Sequence, residues 1–449
     1  MKLSQQLGEK VSEKIFGSDF KESARKRVEY FTRKRGMVFE EVILHILTSL
    51  KCSTVASLRR FFLNIGVKLC IAQQSYSEAR YKIRVEAFME LFDLTATTML
   101  ENTSKTWNGY RILAVDGSKI ALPTDKKLLG YYGGLGKNRT AATAQGSILY
   151  DVTNDIIVDA LITPMSIDER TLAVRHLEKY ASITANITAN ITANITANIT
   201  ANITANITAN ITANITANSK NIIIFDRGYP SFELIELLES LGFTFVMRVR
   251  SKFNAEIDSQ NKADDFVWLK QGEKRIQVRV IKFMLESGEE EVLITNLYDK
   301  RLGKNAFKKL YFMRWPVETK YDMVKNKLEL ENFNTRTIEG IEQDFYAIMF
   351  LANFAASCAI DAQEEIDKVR NNKGNKYQQK ANMNELIGIL KDRLVSALIQ
   401  DTPEEQAEMI ESILDEIRRH TIQVKPNRST PRYSSPQTRR FHHNRKSNS

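Results

Sequence analysis

The chain has 449 residues, 43% of them hydrophobic, enough to bury a large core in two or three structural units. Its 64 Lys and Arg against 54 Asp and Glu give a formal charge of +10, which favours a polyanionic partner, nucleic acid or an acidic membrane surface. Cys52, Cys70 and Cys358 are too few and scattered for a disulfide framework or a Cys-based zinc site, and only five His are present. No apolar run reads as long enough to span a bilayer, and the opening MKLSQQLGEK lacks a signal-peptide core, so the expectation is a cytoplasmic protein with no membrane partner.

Residues 1–105 read as helical. Phe39, Val42, Ile43, Ile46, Leu47 and Leu50 follow the helical period, and two short helices joined near Gly66 resemble a helix-turn-helix. Arg59, Arg60, Lys68, Arg80, Lys82 and Arg84 surround them, as a DNA-gripping surface or as the solvated face of a plain bundle. From Tyr110 the texture changes to strands. RILAVDGSKIALP is an apolar run carrying Asp116, and ILYDVT, the turn Asn154-Asp155 and IIVDALI predict a hairpin. Between them GYYGGLGKNR fails as a phosphate-binding loop, since no Gly stands five before Gly136 and Asn138 replaces the Ser or Thr that would touch magnesium.

A helix is expected from about Ile167 to Tyr180. Residues 183–218 then repeat Ile-Thr-Ala-Asn nine times without a charge. As a helix this period drifts by about 40° per copy and buries no constant face. As a strand it alternates apolar and polar, so local pattern prefers strand, while the preceding helix and the missing turn signal leave its conformation open. Tandem expansion at the gene level explains such an array most simply and makes it a surface insertion.

The strand NIIIF leads into Asp226, Arg227-Gly228-Tyr229-Pro230 and the helix SFELIELLESLG. A basic, β-rich stretch covers 245–300, and helices return from Ala306. Thr402, Pro403 and Glu405 are set as a capping box. The tail from 421 to 449 is basic, without acids after Ile422, and reads as disordered.

The stretch YFMRWPVETKYDMVK spaces Tyr311, Arg314, Glu318 and Lys325 by three, four and seven. On one helix they share roughly a 60° arc, although Pro316 warns of a kink or a fresh start. A carboxylate there can hold a divalent metal while Arg, Lys and Tyr hold phosphate oxygens; the plain alternative is a solvated amphipathic face. Two apolar strands carry Asp116 and Asp226, each of which alone reads more plainly as a strand-end or turn residue, since Asp116 precedes Gly117 and Asp226 precedes Arg227. Three converging carboxylates would need cations to offset their repulsion.

Tyr311, Arg314, Glu318 and Lys325, with LAVDGSKI, SIDERTLAVRHL, IIIFDRGYPS and ENFNTRTIEGIEQDFYAIMFLANFAAS, resemble the DDE transposases of bacterial insertion sequences, in insertion-sequence family four. The resemblance covers most of the chain. It implies an α/β fold: a ribonuclease-H-like catalytic domain at 106–365 with a β-strand insertion, preceded by a helical DNA-binding domain at 1–105 and followed by helices at 366–420 and a basic tail. It implies that Asp116, Asp226 and Glu318 bind two Mg2+ ions, with Mn2+ as a substitute, and that Tyr311, Arg314 and Lys325 contact DNA phosphates. The partners would be double-stranded DNA, both transposon inverted repeats and target, bound by a homodimer and nucleoid-associated. Some relatives pass through a hairpin that needs a flipped, stacked base. Trp268 is the candidate for that stacking, against the commoner reading of a buried or cross-strand Trp.

The array just before the Asp226 strand departs from the family pattern. Looped out, it costs little, because closure entropy grows logarithmically with length; pulling that strand out of register would destroy the site. The alternatives are a catalytically inactive DNA-binding relic or repressor, and a stand-alone nuclease. Tyrosine recombination fits poorly, because no Tyr follows His442 and Arg445.

Overall fold

The computed structural model describes residues 1–33, 36–48, 51–67, 71–135, 140–199, 220–371 and 377–424. Its strands are β1 (Arg111–Ala121), β2 (Thr143–Asp151), β3 (Ile156–Pro164), β4 (Asn221–Phe225), β5 (Thr244–Val249), β6 (Asp264–Gln271), β7 (Lys274–Met284), β8 (Glu290–Thr295), β9 (Gln378–Ala381) and β10 (Thr421–Val424). The first eight form one mixed sheet in the order β3-β2-β1-β4-β5-β8-β7-β6. The helices are α1 (Leu3–Phe16), α2 (Ser18–Ala24), α3 (Phe39–Leu47), α4 (Thr54–Asn64), α5 (Gln73–Tyr81), α6 (Glu86–Asn102), α7 (Lys126–Tyr132), α8 (Glu169–Ile199), α9 (Phe232–Ser240) and α10 (Ala255–Ser259). They continue with α11 (Lys304–Phe312), α12 (Pro316–Asp322), α13 (Ile338–Asn371), α14 (Met383–Leu398) and α15 (Pro403–Arg419). The α/β class expected from the sequence is therefore found.

Two compact units divide the chain: Met1–Asn102, Lys119–Ala144 and Asp322–Ser449 in the first, Thr103–Ser118 and Gln145–Tyr321 in the second. The first is built on α13. This helix is long and apolar enough to cross a membrane, contrary to the reading that no run is, yet 89% of its most apolar window is buried, as befits a core helix. Its Asp361 accepts hydrogen bonds from the Leu3 and Ser4 amides at 3.1 and 2.7 Å, satisfying orphan donors at the start of α1.

Helices α4 and α5 do flank Gly66, which sits at φ +71° where a side chain would be strained. Arg59 and Arg60 are exposed. Arg80 corrects the expected basic surface: it is buried, bonded to Asp344 at 2.9 Å and to Gln343 at 2.7 Å. Lys68 and Cys70 lie outside the described residues. Thr402 caps α15 as expected, accepting from the Glu405 amide at 3.2 Å. Residues 421–424, assigned from sequence to the disordered tail, instead form β10, paired with β9; the tail from 425 on, with His442 and Arg445, lies outside the described residues.

In the second unit the hairpin falls where expected, with Asp155 in the left-handed region at φ +58°. Strand β4 is buried from Ile222 through Phe225, the signature of a central parallel strand covered on both faces. Strand β5 joins this parallel core, so the antiparallel addition consists of β6, β7 and β8. The start of the array is helical: α8 runs on through Ile199 rather than adopting the strand that local pattern prefers. The turns before Ile183 already provide a nucleus, and extending a helix costs far less than starting one. The later copies lie outside the described residues.

Candidate active site

The geometry begins with strand register. β1 pairs in parallel with β4 from Arg111↔Asn221 to Ala114↔Ile224, and the same offset carried two residues on sets Asp116 level with Asp226. Neighbouring strands lie about 4.8 Å apart, and β4 ends at Phe225, so Asp226 leaves the sheet next to the part of β1 that carries Asp116. β4 pairs with β5 from Ile222↔Thr244 to Phe225↔Met247, which sets Arg248 at that same level on the next strand. Side chains alternate along a strand, so all three point to the face that carries Ile112, Ile222, Ile224 and Val246.

That face is where α11 packs. Phe307, Leu310 and Tyr311 join the four strand residues in one buried cluster, and the Tyr311 hydroxyl donates to Asp226 Oδ1 at 3.2 Å. The helix ends at Phe312, the chain turns, and α12 starts afresh at Pro316, where a missing N–H costs nothing. The fresh start that Pro316 signals is thus found, and the single-helix arc for Tyr311, Arg314, Glu318 and Lys325 is not. A π-helix at Met323–Lys327 breaks the phase again.

Arg314, in the turn, is 8% exposed and donates to Glu318 Oε1 at 2.7 Å, while its Nε has no partner. Asp116, Asp226, Tyr311, Arg314 and Glu318 therefore belong to one unit and feel one another's charge. Lys325 lies in the other unit, where its ammonium donates to the Lys119 carbonyl and pairs with Glu331 at 3.3 Å.

Burial, reinforced by Glu318 and Glu169 and only partly offset by Arg314 and the Gly117 amide, pushes the Asp116 carboxyl up to about 7. Burial, then the Asp226 charge, raises the Tyr311 phenol, which therefore stays a donor. Burial works against the Arg314 charge, yet Tyr311, Glu318, Asp226 and Asp116 more than compensate and hold it above its usual value. Arg248 pairs with the buried Glu291 at 3.2 Å.

Trp268 is 50% exposed on the edge strand β6, not the buried Trp that is commoner in sheets. It opposes Gln277 and lines an open groove of about 560 Å3 with Phe266, Lys270, Arg275 and Glu256.

Arg248, Glu291, Tyr229 and Glu169 were missed by the sequence reading. Only the strand register could have singled out Arg248, since FTFVMRVR offers two equivalent arginines.

As placed, no three acidic, His or Cys side chains among the described residues stand as ready ligands of one ion. The donor set nevertheless suits a divalent cation. Its atoms are hard carboxylate oxygens, the kind magnesium and manganese take. Burial first, and the Glu318 and Glu169 charges second, raise Asp116, and a cation bound there would favour the ionised carboxylate against both.

A family model described as a transposase DDE domain matches residues 107–354, more than half of the chain and the whole of the carboxylate set. No curated protein matches. Among solved structures, a piggyBac transposase synaptic complex with hairpin DNA is similar over 96% of this chain and 88% of that one, at 11% identity and a TM-score of 0.47, too distant to carry an argument. The matched span and the carboxylates it encloses make this chain a member of the transposase DDE-domain family.

Proposed function

We propose that the protein binds the terminal inverted repeats of an insertion sequence of family-four type as a homodimer and moves the element by cut-and-paste DNA cleavage and strand transfer. The observation that carries this is Asp116 on β1 and Asp226 at the end of the parallel neighbour β4, with Tyr311 bonded to Asp226 and Arg314 bonded to Glu318. The same parallel core supports a ribonuclease-H-like reading of the second unit.

Asp116, Asp226 and Glu318 would hold two Mg2+ ions, with Mn2+ as a substitute. Bound there, the ions would supply Lewis acidity to the phosphoryl group and a nucleophile at neutral pH, water first and a DNA 3′-hydroxyl later. The chain's own residues orient the phosphate. Arg314 stays charged and Tyr311 stays protonated, so both can turn from their carboxylate partners to phosphate oxygens. Lys325 adds a third phosphate contact in this reading. Trp268, exposed among Phe266, Lys270 and Arg275, has the mixture of ring and cation that stacks an unpaired base. The exposed Arg59 and Arg60 and the basic tail would grip DNA backbone, consistent with a cytoplasmic, nucleoid-bound protein.

The relic alternative is disfavoured by β4, which keeps its pairing with β1 and β5 although the array precedes it. The test is cleavage and joining of a labelled duplex ending in the element's own terminal repeat, with Mg2+ or Mn2+. Wild type nicks at the element end and joins it to target; Glu318→Ala binds and does neither. Equal binding without cleavage by both proteins, persisting after deletion of residues 183–218, would move the assignment to a silent DNA-binding relic. Cleavage without joining would indicate a stand-alone nuclease.

A further inference from the structure

Glu169 opens α8, but the helix does not use it as a cap. Asp168 does that work, accepting from the Arg170 and Thr171 amides at 2.9 and 3.0 Å and from the Thr171 hydroxyl at 2.8 Å. The Glu169 carboxylate instead reaches the residues beside both aspartates. A methyl group added to Gly117, next to Asp116, would sit 2.8 Å from Glu169 Oε1, and one added to Gly228, two residues after Asp226, would sit 3.8 Å from Oε2. The helix dipole accounts for an acid in the first turn of α8. It does not account for a carboxylate filling the space that two glycines leave open.

A partner for Glu169 comes from β2. The buried Gln145 Nε2 donates to Glu169 Oε1 at 3.4 Å, a long bond that orients the carboxylate without neutralising it. An independent sign of a missing ligand is Tyr229. The residue is 1% exposed, its hydroxyl has no hydrogen-bond partner, and its ionisation is opposed by burial and then by the charges of Glu169, Asp116 and Asp226. A buried O–H left without an acceptor is destabilising, so its persistence among three acids marks a place where an occupant supplies the acceptor.

We propose that Glu169 is a fourth carboxylate of the centre, taking the divalent cation together with Asp116, with Gln145 as its positioning residue and the Tyr229 hydroxyl directed at what the cation brings. The proposal rests on the metal-dependent transposase reading and deepens it. Glu169 is exposed as a residue, so a cation reaches it from solvent.

The experiment is Mn2+ binding to the full chain without DNA, followed by electron paramagnetic resonance of the free ion, for wild type, Glu169→Gln, Glu169→Asp and Asp116→Asn. Glu169→Gln should weaken binding by about 10- to 100-fold, the loss typical of groups that build a metal site, and Glu169→Asp should recover part of it. Thermal unfolding without metal should be no lower in Glu169→Gln than in wild type, since a repelling charge is removed. Unchanged Mn2+ affinity in Glu169→Gln, with loss in Asp116→Asn, overturns the role of Glu169 alone. Unchanged affinity in both overturns the metal centre itself, and this inference with it. Should Glu169→Gln not fold, Glu169→Asp decides, because a shortened reach that leaves affinity unchanged overturns the proposal equally.

Discussion

Two polar clusters of the second unit sit close in sequence and differ in almost every physical respect. One has the order of a hydrolase triad: Ser147 on β2 meets His176 Nε2 at 2.9 Å, and His176 Nδ1 meets Asp159 Oδ2 at 2.5 Å. All three residues are buried, Lys179 adds an ammonium to Asp159 at 2.9 Å, and despite burial the partners His176 and Lys179 keep the Asp159 carboxyl below its usual range. The other cluster, around Asp116, is partly open, carries more carboxylates than cations, holds Asp116 up to about 7 and leaves Tyr229 Oη and Arg314 Nε unpartnered. The first is complete without any ligand and closed to substrate. The second is incomplete, and incompleteness rather than residue type is what singles it out as the candidate site.

The contrast can be broken at either cluster. The largest effect is expected from Asp226→Asn, which should lower terminal-repeat cleavage on the order of 10³-fold, the equivalent of about 4 kcal/mol at the transition state, with DNA binding retained in a gel-shift assay. His176→Phe should do the reverse: it strands a buried Asp159 and costs about 3–5 kcal/mol in urea unfolding, while cleavage per folded molecule stays near wild type. A His176 variant that folds well and cannot cleave would erase the distinction between the clusters.

A third test uses pH on the cation-free chain. The folded Asp116 carboxyl titrates near 7 against 3.8 when unperturbed, so its favourable contribution is complete below about pH 4 and drains as pH rises through 7. Each pH interval of one between the unfolded and folded titrations is worth about 1.36 kcal/mol, so the loss approaches about 4 kcal/mol, and the stability profile of Asp116→Asn should lack it. Glu342 in the other unit, also pushed up to about 7 chiefly by burial, contributes with the same sign to both proteins and cancels in the difference. The smallest effect belongs to Trp268→Ala, which should weaken binding to DNA with an unpaired end by about 1–3 kcal/mol and leave unfolding unchanged, since the residue is already half exposed.

How far sequence alone reached follows from the range of each interaction. Asp116 and Asp226 were legible because each ends an apolar run, and the β2–β3 hairpin because its turn is local. That β1 and β4 are neighbours was not, since α7, two strands and α8 intervene between them in the chain. Without that adjacency, neither the level row of Asp116, Asp226 and Arg248 nor the approach of Glu169 to Gly117 can be read. The fresh start at Pro316 is legible around Glu318, because proline cannot continue the helix before it, whereas the π-helix at Met323–Lys327 leaves no mark in side-chain spacing. Arg80 looked like a surface cation because its partner Asp344 is remote in sequence.

The placement of the Ile-Thr-Ala-Asn array has an evolutionary consequence. Strand β4 is held in register by its own buried isoleucines and by two parallel partners, so its alignment does not depend on the length of chain that delivers it. Each repeat is a whole number of codons, so slippage during replication adds or removes copies without shifting the reading frame. Close relatives of this chain should therefore differ in copy number while the register of β4 stays the same, making the array a record of replication history rather than of selection on the fold.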